Sequence, residues 1–124
     1  MSDDILAPLV NRFQDGWDGY IRCDLGWTQI LLDLNEKMSR IDPDYRLHQV
    51  KEKFGTLRFY YEPSNEDYRS RLDILVNEAE ALSAVTCEQT GQPGRLMRRG
   101  HVYKTLCDYY LHLGWEPALS EGNQ

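Results

Sequence analysis

Cys87 and Cys107 are the first candidates for chemistry in this chain. Cys87 opens the turn Cys87-Glu-Gln-Thr90-Gly91, and Cys107 opens the run Cys107-Asp-Tyr-Tyr110. In a treble-clef zinc module, a knuckle supplies two thiolates and the start of a following helix supplies the other two ligands. Thr90 and Tyr110 stand where the second and fourth ligands belong, and neither is an ordinary zinc ligand. We therefore interpret the cysteines as remnants of a metal site that now serve as small buried apolar residues. We expect no cofactor, and we favour this interpretation over retained zinc binding.

No familiar catalytic motif accompanies the cysteines. Glycine-rich phosphate loops and the patterns His-Glu-x-x-His and Gly-x-Ser-x-Gly are absent. His48, His101 and His112 could each act as a general base, and Cys87 with His101 could form a Cys–His pair. The sequence therefore favours a protein that is not an enzyme, with a small thiol- or histidine-dependent enzyme as an alternative.

Basic residues concentrate in two blocks, at 45–61 and 95–104, of a chain whose net charge is −6. The acidic total disfavours general binding to nucleic acid. The blocks could still merge into one patch for phosphate or single-stranded nucleic acid, or they could pair with the acidic helices, which is the interpretation we favour. The candidate binding residues are Lys51, Lys53, Arg58, Tyr60, Arg95, Arg98, Arg99 and Lys104.

Acidic residues form a second candidate surface. The first two predicted helices and the turn after them hold enough carboxylates to mimic the charge of a nucleic acid toward a protein partner. The candidates are Asp33, Glu36, Asp42 and Asp44.

Apolar periodicity predicts an α+β fold in the first two thirds of the chain. Helices are expected over 3–14 and 27–38, followed by a long amphipathic helix over 65–84 whose apolar stripe runs to Val85. A capping box of Ser64 and Asp67 would begin the long helix. Alternation of side chains over 56–61 predicts a central antiparallel β-hairpin with a partner strand at 45–51 and a turn at 53–55. We expect the long helix to pack on the hairpin face that carries Leu57, Phe59 and Tyr61, with Phe54 anchoring the turn.

The last third predicts a degenerate treble-clef-like end. Short strands are expected at 95–98 and 102–106, and a helix at 106–114. One domain would then cover residues 1–115, followed by a flexible polar tail over 116–124. The N-terminus is acidic and its apolar run is broken by Pro8, so we expect no export signal. We also expect no membrane segment, because the sequence has no long apolar stretch. Three cysteines without an export signal indicate a reducing compartment, so we expect a cytoplasmic protein.

The segment Val50–Tyr60, VKEKFGTLRFY, resembles the KEKFGGLRFY segment of a set of small uncharacterised bacterial and phage proteins. In that set a Gly-Trp helix precedes the segment, and Thr-Cys-Glu-x-Cys-Gly-x-Pro-Gly and Thr-Leu-Cys-Asp-x-His follow it. The resemblance covers about residues 23–110 and departs at Thr56, Thr90 and Tyr110, two of which replace presumed ligands. It implies the fold and a bacterial or phage setting, but no activity. The matching positions are Gly26, Trp27, Ser83, Thr86, Cys87, Glu88, Gly91, Pro93, Gly94, Thr105, Leu106, Cys107 and Asp108.

Small size, acidity, abundant tyrosine and a degenerate ligand set favour a non-catalytic protein-binding module. It could be a phage-encoded inhibitor of a host defence system, or an immunity or adaptor protein. The alternative is a nucleic-acid-binding module that uses the Lys51–Arg58 hairpin and the Arg95–Lys104 block. We expect a protein partner and favour it over nucleic acid. We expect no binding to membranes, and the sequence leaves the oligomeric state open.

Overall fold

The computed structural model describes residues 5–17 and 19–118, and it shows an α+β protein with two small three-stranded sheets. The helices are α1 (Ala7–Val10), α2 (Thr28–Ile41) and α3 (Arg69–Ser83), and 3₁₀ turns cover Leu25–Trp27, Glu66–Tyr68 and Asp108–Leu113. The predicted class is confirmed. Within the described residues, no helix combines the length and apolarity needed to cross a membrane. The strands are β1 (Ile21–Arg22), β2 (Arg46–Lys53), β3 (Thr56–Glu62), β4 (Arg95–Arg99), β5 (Val102–Leu106) and β6 (Glu116–Pro117).

The first sheet has the order β1-β2-β3 and contains the predicted central hairpin. β1 is parallel to β2, and β2 is antiparallel to β3. Successive side chains of a strand point to opposite faces. Val50, Leu57 and Phe59 point to the face that we call the inner face, where they join α2 and α3 in the main core. Their neighbours Lys51 and Arg58 point to the opposite side, which we call the outer face.

Helix α3 closes the free edge of β3 as well as covering its inner face. The hydroxyl of Ser83 accepts a hydrogen bond from the amide of Leu57 at 2.9 Å, and Glu80 accepts one from the amide of Phe59 at 3.1 Å. An edge strand otherwise presents unpaired amides to solvent. The predicted packing of the long helix on the hairpin is thus confirmed. Its apolar stripe is shorter than expected, because Leu82 and Val85 are 52% and 57% exposed beyond the end of the sheet.

Asp42 joins the end of α2 to the start of α3. The carboxylate is 1% exposed and accepts hydrogen bonds from the amide and the hydroxyl of Ser64 at 2.8 and 2.7 Å. Because Ser64 is engaged by Asp42, the predicted capping box is wrong. The side chain of Asn65 caps the turn instead, by accepting a hydrogen bond from the amide of Asp67 at 2.8 Å.

The N-terminal segment forms a shorter helix than the predicted 3–14. Past Val10 the backbone turns to pair with β2, since the amide of Leu47 donates to the carbonyl of Arg12 at 2.8 Å. The guanidinium of Arg12 also donates to Asn35 and Ser39 of α2, at 2.8 and 2.7 Å. These long-range bonds replace helical bonds and end α1. Residues 3 and 4 of the predicted helix lie outside the described residues.

The second sheet has the order β5-β4-β6 and a small core of its own. The helix predicted at 106–114 is present as a 3₁₀ helix over Asp108–Leu113, and Gly114 ends it with a left-handed φ of +90°. The chain can then return to β4, where Glu116–Pro117 pair with it and the amide of Ala118 donates to Leu96 at 3.0 Å. Residues 116–118, which the sequence places in a flexible tail, are therefore part of the sheet; residues 119–124 lie outside the described residues. The core residues of this unit are Cys87, Met97, Leu106 and Trp115.

Replacing Leu72 by alanine should lower the free energy of unfolding by about 2–5 kcal/mol, because the side chain is fully buried in the main core. Urea denaturation followed by circular dichroism measures this change. The matched control is Ile74→Ala, on the same helix but 58% exposed, which should change the free energy by no more than about 0.5 kcal/mol. Equal losses in the two variants would contradict the assigned buried face of α3.

Candidate functional site

The first basic block lies together on the outer face. Lys51 and Arg58 are register partners across β2 and β3, while Lys53 and Tyr60 lie further along the same face. The side chains of Lys51, Lys53 and Arg58 have no ion pair or hydrogen bond with any residue that the structure describes. Within the same range, the buried Nε atom of Arg58 has no hydrogen-bond acceptor. The four residues that the sequence grouped thus share one surface, with its positive charges uncompensated by side-chain contacts.

The turn between β2 and β3 places an aromatic ring in solvent. Phe54 has a left-handed φ of +53° and is followed by Gly55 at +82°, which makes a two-residue hairpin loop of the type that favours Asn-Gly. A left-handed backbone costs a bulky residue about 1–2 kcal/mol. Phe54 is 64% exposed, so the expectation that it anchors the turn in the core is wrong. Its ring centroid lies 5.6 Å from that of Tyr103 on β5.

Two arginines of the second basic block form salt bridges, and the third makes other contacts. Arg95 pairs with Asp108 and Arg98 with Glu116, each at 3.1 Å. Arg99 donates to the carbonyl of Leu113 at 3.0 Å, and its guanidinium lies 4.6 Å from the ring of Trp115. Arg95 and Arg98 are thus paired, but with acids of the C-terminal segment and not with the acidic helices, so the favoured interpretation is wrong about the partners.

Lys104, the remaining residue of that block, is partly buried and forms salt bridges with two carboxylates. Its ammonium lies 3.1 Å from Glu52 of β2 and 3.3 Å from Glu88 of the knuckle turn. Glu88 is 1% exposed, and its other oxygen accepts a hydrogen bond from the amide of Asp24 at 2.9 Å. Burial raises the pKa of Glu88, and the Asp24 amide and Lys104 offset only part of that rise. For Lys104, burial lowers the pKa but the two carboxylates outweigh it, so the pKa is raised.

The candidate acidic residues divide into exposed and buried ones. Asp33 and Glu36 lie on the exposed side of α2, where Glu36 pairs with Arg40 at 2.9 Å. Asp44 is exposed in the following turn. Asp42 is not available to a partner, because its carboxylate is buried against Ser64. The predicted acidic surface is therefore reduced to three residues.

The two cysteines meet with Thr90 and Tyr110 at the end of β5. The knuckle turn is closed by backbone bonds of Cys87, whose amide donates to Gln92 at 2.7 Å and whose carbonyl accepts from Gly91 at 2.9 Å. The hydroxyl of Thr90 lies 3.7 Å from Sγ of Cys107. Burial opposes ionisation of the Cys87 thiol, but donors on Thr90 and nearby amides outweigh it and lower the pKa of Cys87.

Tyr110 responds to the same surroundings in the opposite direction. Burial and the charges of Cys87 and Cys107 raise the pKa of its phenol. A neutral phenol and a hydroxyl beside two thiols are weak donors for zinc. Among the residues that the structure describes, no group of three or more His, Cys, Asp or Glu side chains could hold a metal ion.

Sequence reasoning missed three features of these sites. Glu88 has no assigned role in the sequence, although it lies within the Thr-Cys-Glu run. Gly26 has no assigned packing role in the sequence, yet a Cβ there would overlap the backbone carbonyl of Cys87. The exposure of Phe54 had a local signal, namely a Phe-Gly pair where a two-residue turn favours Asn-Gly.

Comparison with known proteins gives no relative, since no protein-family model, curated protein or solved structure matches this chain. Function is therefore inferred from the chemistry of the described residues.

The raised pKa of Glu88 should make the stability of the protein depend on pH in a defined direction. A carboxyl that binds its proton more tightly in the folded state contributes stability below its unfolded pKa, and this contribution is lost as the pH rises through the folded value. The unfolding free energy of the wild type, relative to that of Glu88→Gln, should therefore fall as the pH rises above the unfolded pKa of about 4.3. Urea titrations of both proteins at several pH values measure this difference.

Glu66→Gln is the matched control with the opposite sign. Hydrogen bonding to Arg69 lowers the pKa of the exposed Glu66, so the stability that it contributes is lost as the pH falls. A wild-type minus Glu88→Gln difference that stays flat or rises with pH would contradict the described environment of Glu88.

The thiols should differ in their rate of alkylation by iodoacetamide in the native protein. Cys107 is partly exposed and should react first, whereas Cys87 is fully buried. Burial and the nearby Glu88 and Asp24 raise the pKa of Cys23 to about 12, which leaves little reactive thiolate. Peptide mapping by mass spectrometry reports the order of labelling. If Cys87 reacted first under native conditions, the thiol-enzyme alternative would replace the non-catalytic one.

Proposed function

We propose that this protein is a non-catalytic binding module that docks on a protein partner through the turn at Phe54. The observation that carries the proposal is a large aromatic side chain held in solvent on a strained backbone. Such strain persists only where surrounding structure imposes it, and it concentrates at functional positions. The strain costs folding free energy and most of the ring is exposed despite its contact with Tyr103, and a role in binding accounts for both.

The turn is held firmly enough to act as a preformed anchor. The carboxylate of Glu52 accepts a hydrogen bond from the amide of Gly55 at 2.8 Å, and the hydroxyl of Thr105 donates one to the carbonyl of Gly55 at 2.7 Å. A Cβ at Gly55 would lie 2.6 Å from a methyl of Leu96, so the turn also packs closely on β4. Aromatic anchors of this kind contribute much of the binding energy at protein interfaces, and a rigid anchor loses little entropy on binding.

The chemistry of the turn indicates the chemistry of its partner. Phe54 and Tyr103 offer adjoining rings, and the exposed Lys53 precedes them. A complementary surface would have an apolar pocket with carboxylates at its rim. The exposed acids Asp33, Glu36 and Asp44 lie on or just after α2 and remain a second candidate contact.

The setting of this activity follows from the sequence features. All three cysteines are free, which suits a reducing cytoplasm. The turn at Cys87 followed by the β4-β5 hairpin supports an interpretation of the C-terminal unit as a treble clef that has lost half of its ligands, with a 3₁₀ helix in place of the terminal α-helix. Inhibition of a host defence system by a phage protein, and an immunity or adaptor role, are the two forms of the proposal that the resemblance favours.

Replacing Phe54 by asparagine should separate stability from binding. Asparagine tolerates the left-handed backbone, so the free energy of unfolding should rise by about 1 kcal/mol. Removal of the ring should at the same time abolish capture of the partner. The measurement is a tagged pull-down from nuclease-treated bacterial lysate, read by quantitative mass spectrometry, together with thermal unfolding of each variant.

Tyr109→Ala is the control, because Tyr109 is 61% exposed on the 3₁₀ turn and lies outside the proposed contact. It should retain the partner that the wild type captures. Equal capture by wild type and Phe54→Asn, or no protein enriched by either, would reject docking through the turn.

A further inference from the structure

The thiols of Cys87 and Cys107 share a polar neighbour. The hydroxyl of Thr90 lies 3.7 Å from Sγ of Cys107. Burial opposes ionisation of the Cys87 thiol, but the same hydroxyl and the backbone amide of Cys107 help to outweigh it and lower the pKa of Cys87. One hydroxyl can act on both sulfurs, and the amide of one cysteine on the sulfur of the other, only if the two thiols lie close together.

The backbone brings the two cysteines together from segments that are far apart in the sequence. The amide of Glu88, which follows Cys87, donates to the carbonyl of Thr105 at 2.9 Å. Gly94 lies between the two segments, where a Cβ would be 2.8 Å from the amide nitrogen of Cys87 and 3.1 Å from the carbonyl carbon of Leu106. A disulfide requires Cα atoms about 4.4–6.8 Å apart, which only such a close approach of two backbones allows.

The two thiols differ in their exposure to solvent. Cys107 is partly exposed, whereas Cys87 is fully buried. A small oxidant that arrives from solvent therefore meets Cys107 first, and Cys87 lies behind it as a second thiol. An accessible cysteine beside a second, resolving cysteine is the arrangement that redox-sensitive proteins use.

The other two positions of the former metal site leave both sulfurs available for this chemistry. Thr90 and Tyr110 offer a hydroxyl and a neutral phenol, which do not complete a tetrahedral zinc site with two thiolates. The hydroxyl of Thr90 can instead donate to a sulfur that carries negative charge. Stabilisation of the thiolate favours attack on an oxidant, because the thiolate and not the thiol is the nucleophile.

We propose that Cys87 and Cys107 are an oxidative modification site, and that hydrogen peroxide converts them to a reversible intramolecular disulfide. The thiolate of Cys107 attacks one oxygen of the peroxide, the O–O bond breaks, and a sulfenic acid forms while hydroxide leaves and takes up a proton as water. The thiol of Cys87 then loses its proton, and its sulfur attacks the sulfenic sulfur, so that the S–O bond breaks as the S–S bond forms. The hydroxide released in this step takes up that proton as a second water. Two thiols are thus oxidised, and one peroxide is reduced to two waters.

The disulfide ties the knuckle turn to the beginning of the 3₁₀ turn at Asp108–Leu113. A dithiol reductant reverses the modification by thiol–disulfide exchange, in which the reductant becomes the disulfide and both thiols of this protein are restored. Phe54 and its neighbour Tyr103 are not among the residues of this site. The modification is therefore independent of docking through the turn at Phe54.

The test is treatment of the reduced full-length protein with a small molar excess of hydrogen peroxide, followed by denaturation in iodoacetamide and mass spectrometry. The wild type should lose two hydrogens per chain, about 2 Da, and only Cys23 should then be alkylated. Peptide mapping without reduction should show the peptides of Cys87 and Cys107 linked to each other. Treatment with dithiothreitol should make all three cysteines open to alkylation again.

Two variants assign the order of the steps. Cys87→Ser removes the second thiol, so Cys107 should remain as a sulfenic acid that dimedone traps, and longer exposure should convert it to sulfinic acid. Cys107→Ser removes the accessible thiol, so the loss of the Cys87 thiol to peroxide should slow by about tenfold or more.

Cys23→Ala is the matched control, because burial and nearby carboxylates raise the pKa of Cys23 to about 12 and leave it out of the reaction. This variant should form the disulfide at the wild-type rate. Thermal unfolding of each reduced variant shows whether it is folded, and the linked peptide of the wild type decides the proposal even if a variant does not fold.

Three results would overturn the proposal. One is that all three thiols of the wild type stay open to alkylation under conditions that oxidise N-acetylcysteine in the same mixture. Another is formation of sulfinic acid on Cys107 of the wild type as fast as in Cys87→Ser, since Cys87 would then fail to intercept the sulfenic acid. The third is a disulfide that joins two chains, seen as a dimer in non-reducing gel electrophoresis, because Cys107 would then meet its partner in solution and not within the fold.

Discussion

The buried carboxylate of Glu88 lies at the junction between the two sheets of this protein. The carboxylate accepts a hydrogen bond from the amide of Asp24 at 2.9 Å and lies 3.3 Å from the ammonium of Lys104. The backbone amide of Glu88 donates to Thr105 at 2.9 Å, and the backbone carbonyl of Glu88 accepts from Gly26 at 2.6 Å. A buried charge is tolerated only when it is paired and hydrogen-bonded. Removal of one partner leaves the other charge buried and unpaired, which is strongly destabilising. The second unit has a core of four buried residues, too few to fold alone, so its structure depends on this junction.

The surface proposed for binding depends on the same junction. Lys104 links Glu88 to Glu52, and Glu52 in turn accepts the amide of Gly55 in the turn below Phe54. The strained backbone at Phe54 is therefore fixed from both sheets. Because Lys104 is used within the molecule, it contributes to positioning the turn and is not a contact for a partner. Lys104 of the second basic block thus has a structural role, whereas Lys51 and Lys53 of the first hairpin have no such contacts among the described residues.

Pairing, and not the number of basic residues, decides which of them keep an uncompensated charge among the residues that the structure describes. Arg95 and Arg98 have acidic partners within reach, whereas Lys51 and Arg58 face each other across two strands. A net negative charge is compatible with a local positive surface, because screening limits the influence of exposed charges to about 10 Å.

Periodicity in the sequence by itself determined the α+β class, the central hairpin and the two long helices, because alternation over Leu57, Phe59 and Tyr61 and the apolar stripe of α3 are local patterns that one face of a core requires. The Gly- and Pro-rich composition of residues 86–94 likewise predicted the turn at Cys87. Tertiary structure alone decided the burial of Asp42 against Ser64, the pairing of the second basic block, the return of 116–118 to β4 and the exposure of Phe54. Each of these depends on a partner more than ten residues away, and a side chain becomes buried, paired or free only when folding supplies or withholds that partner.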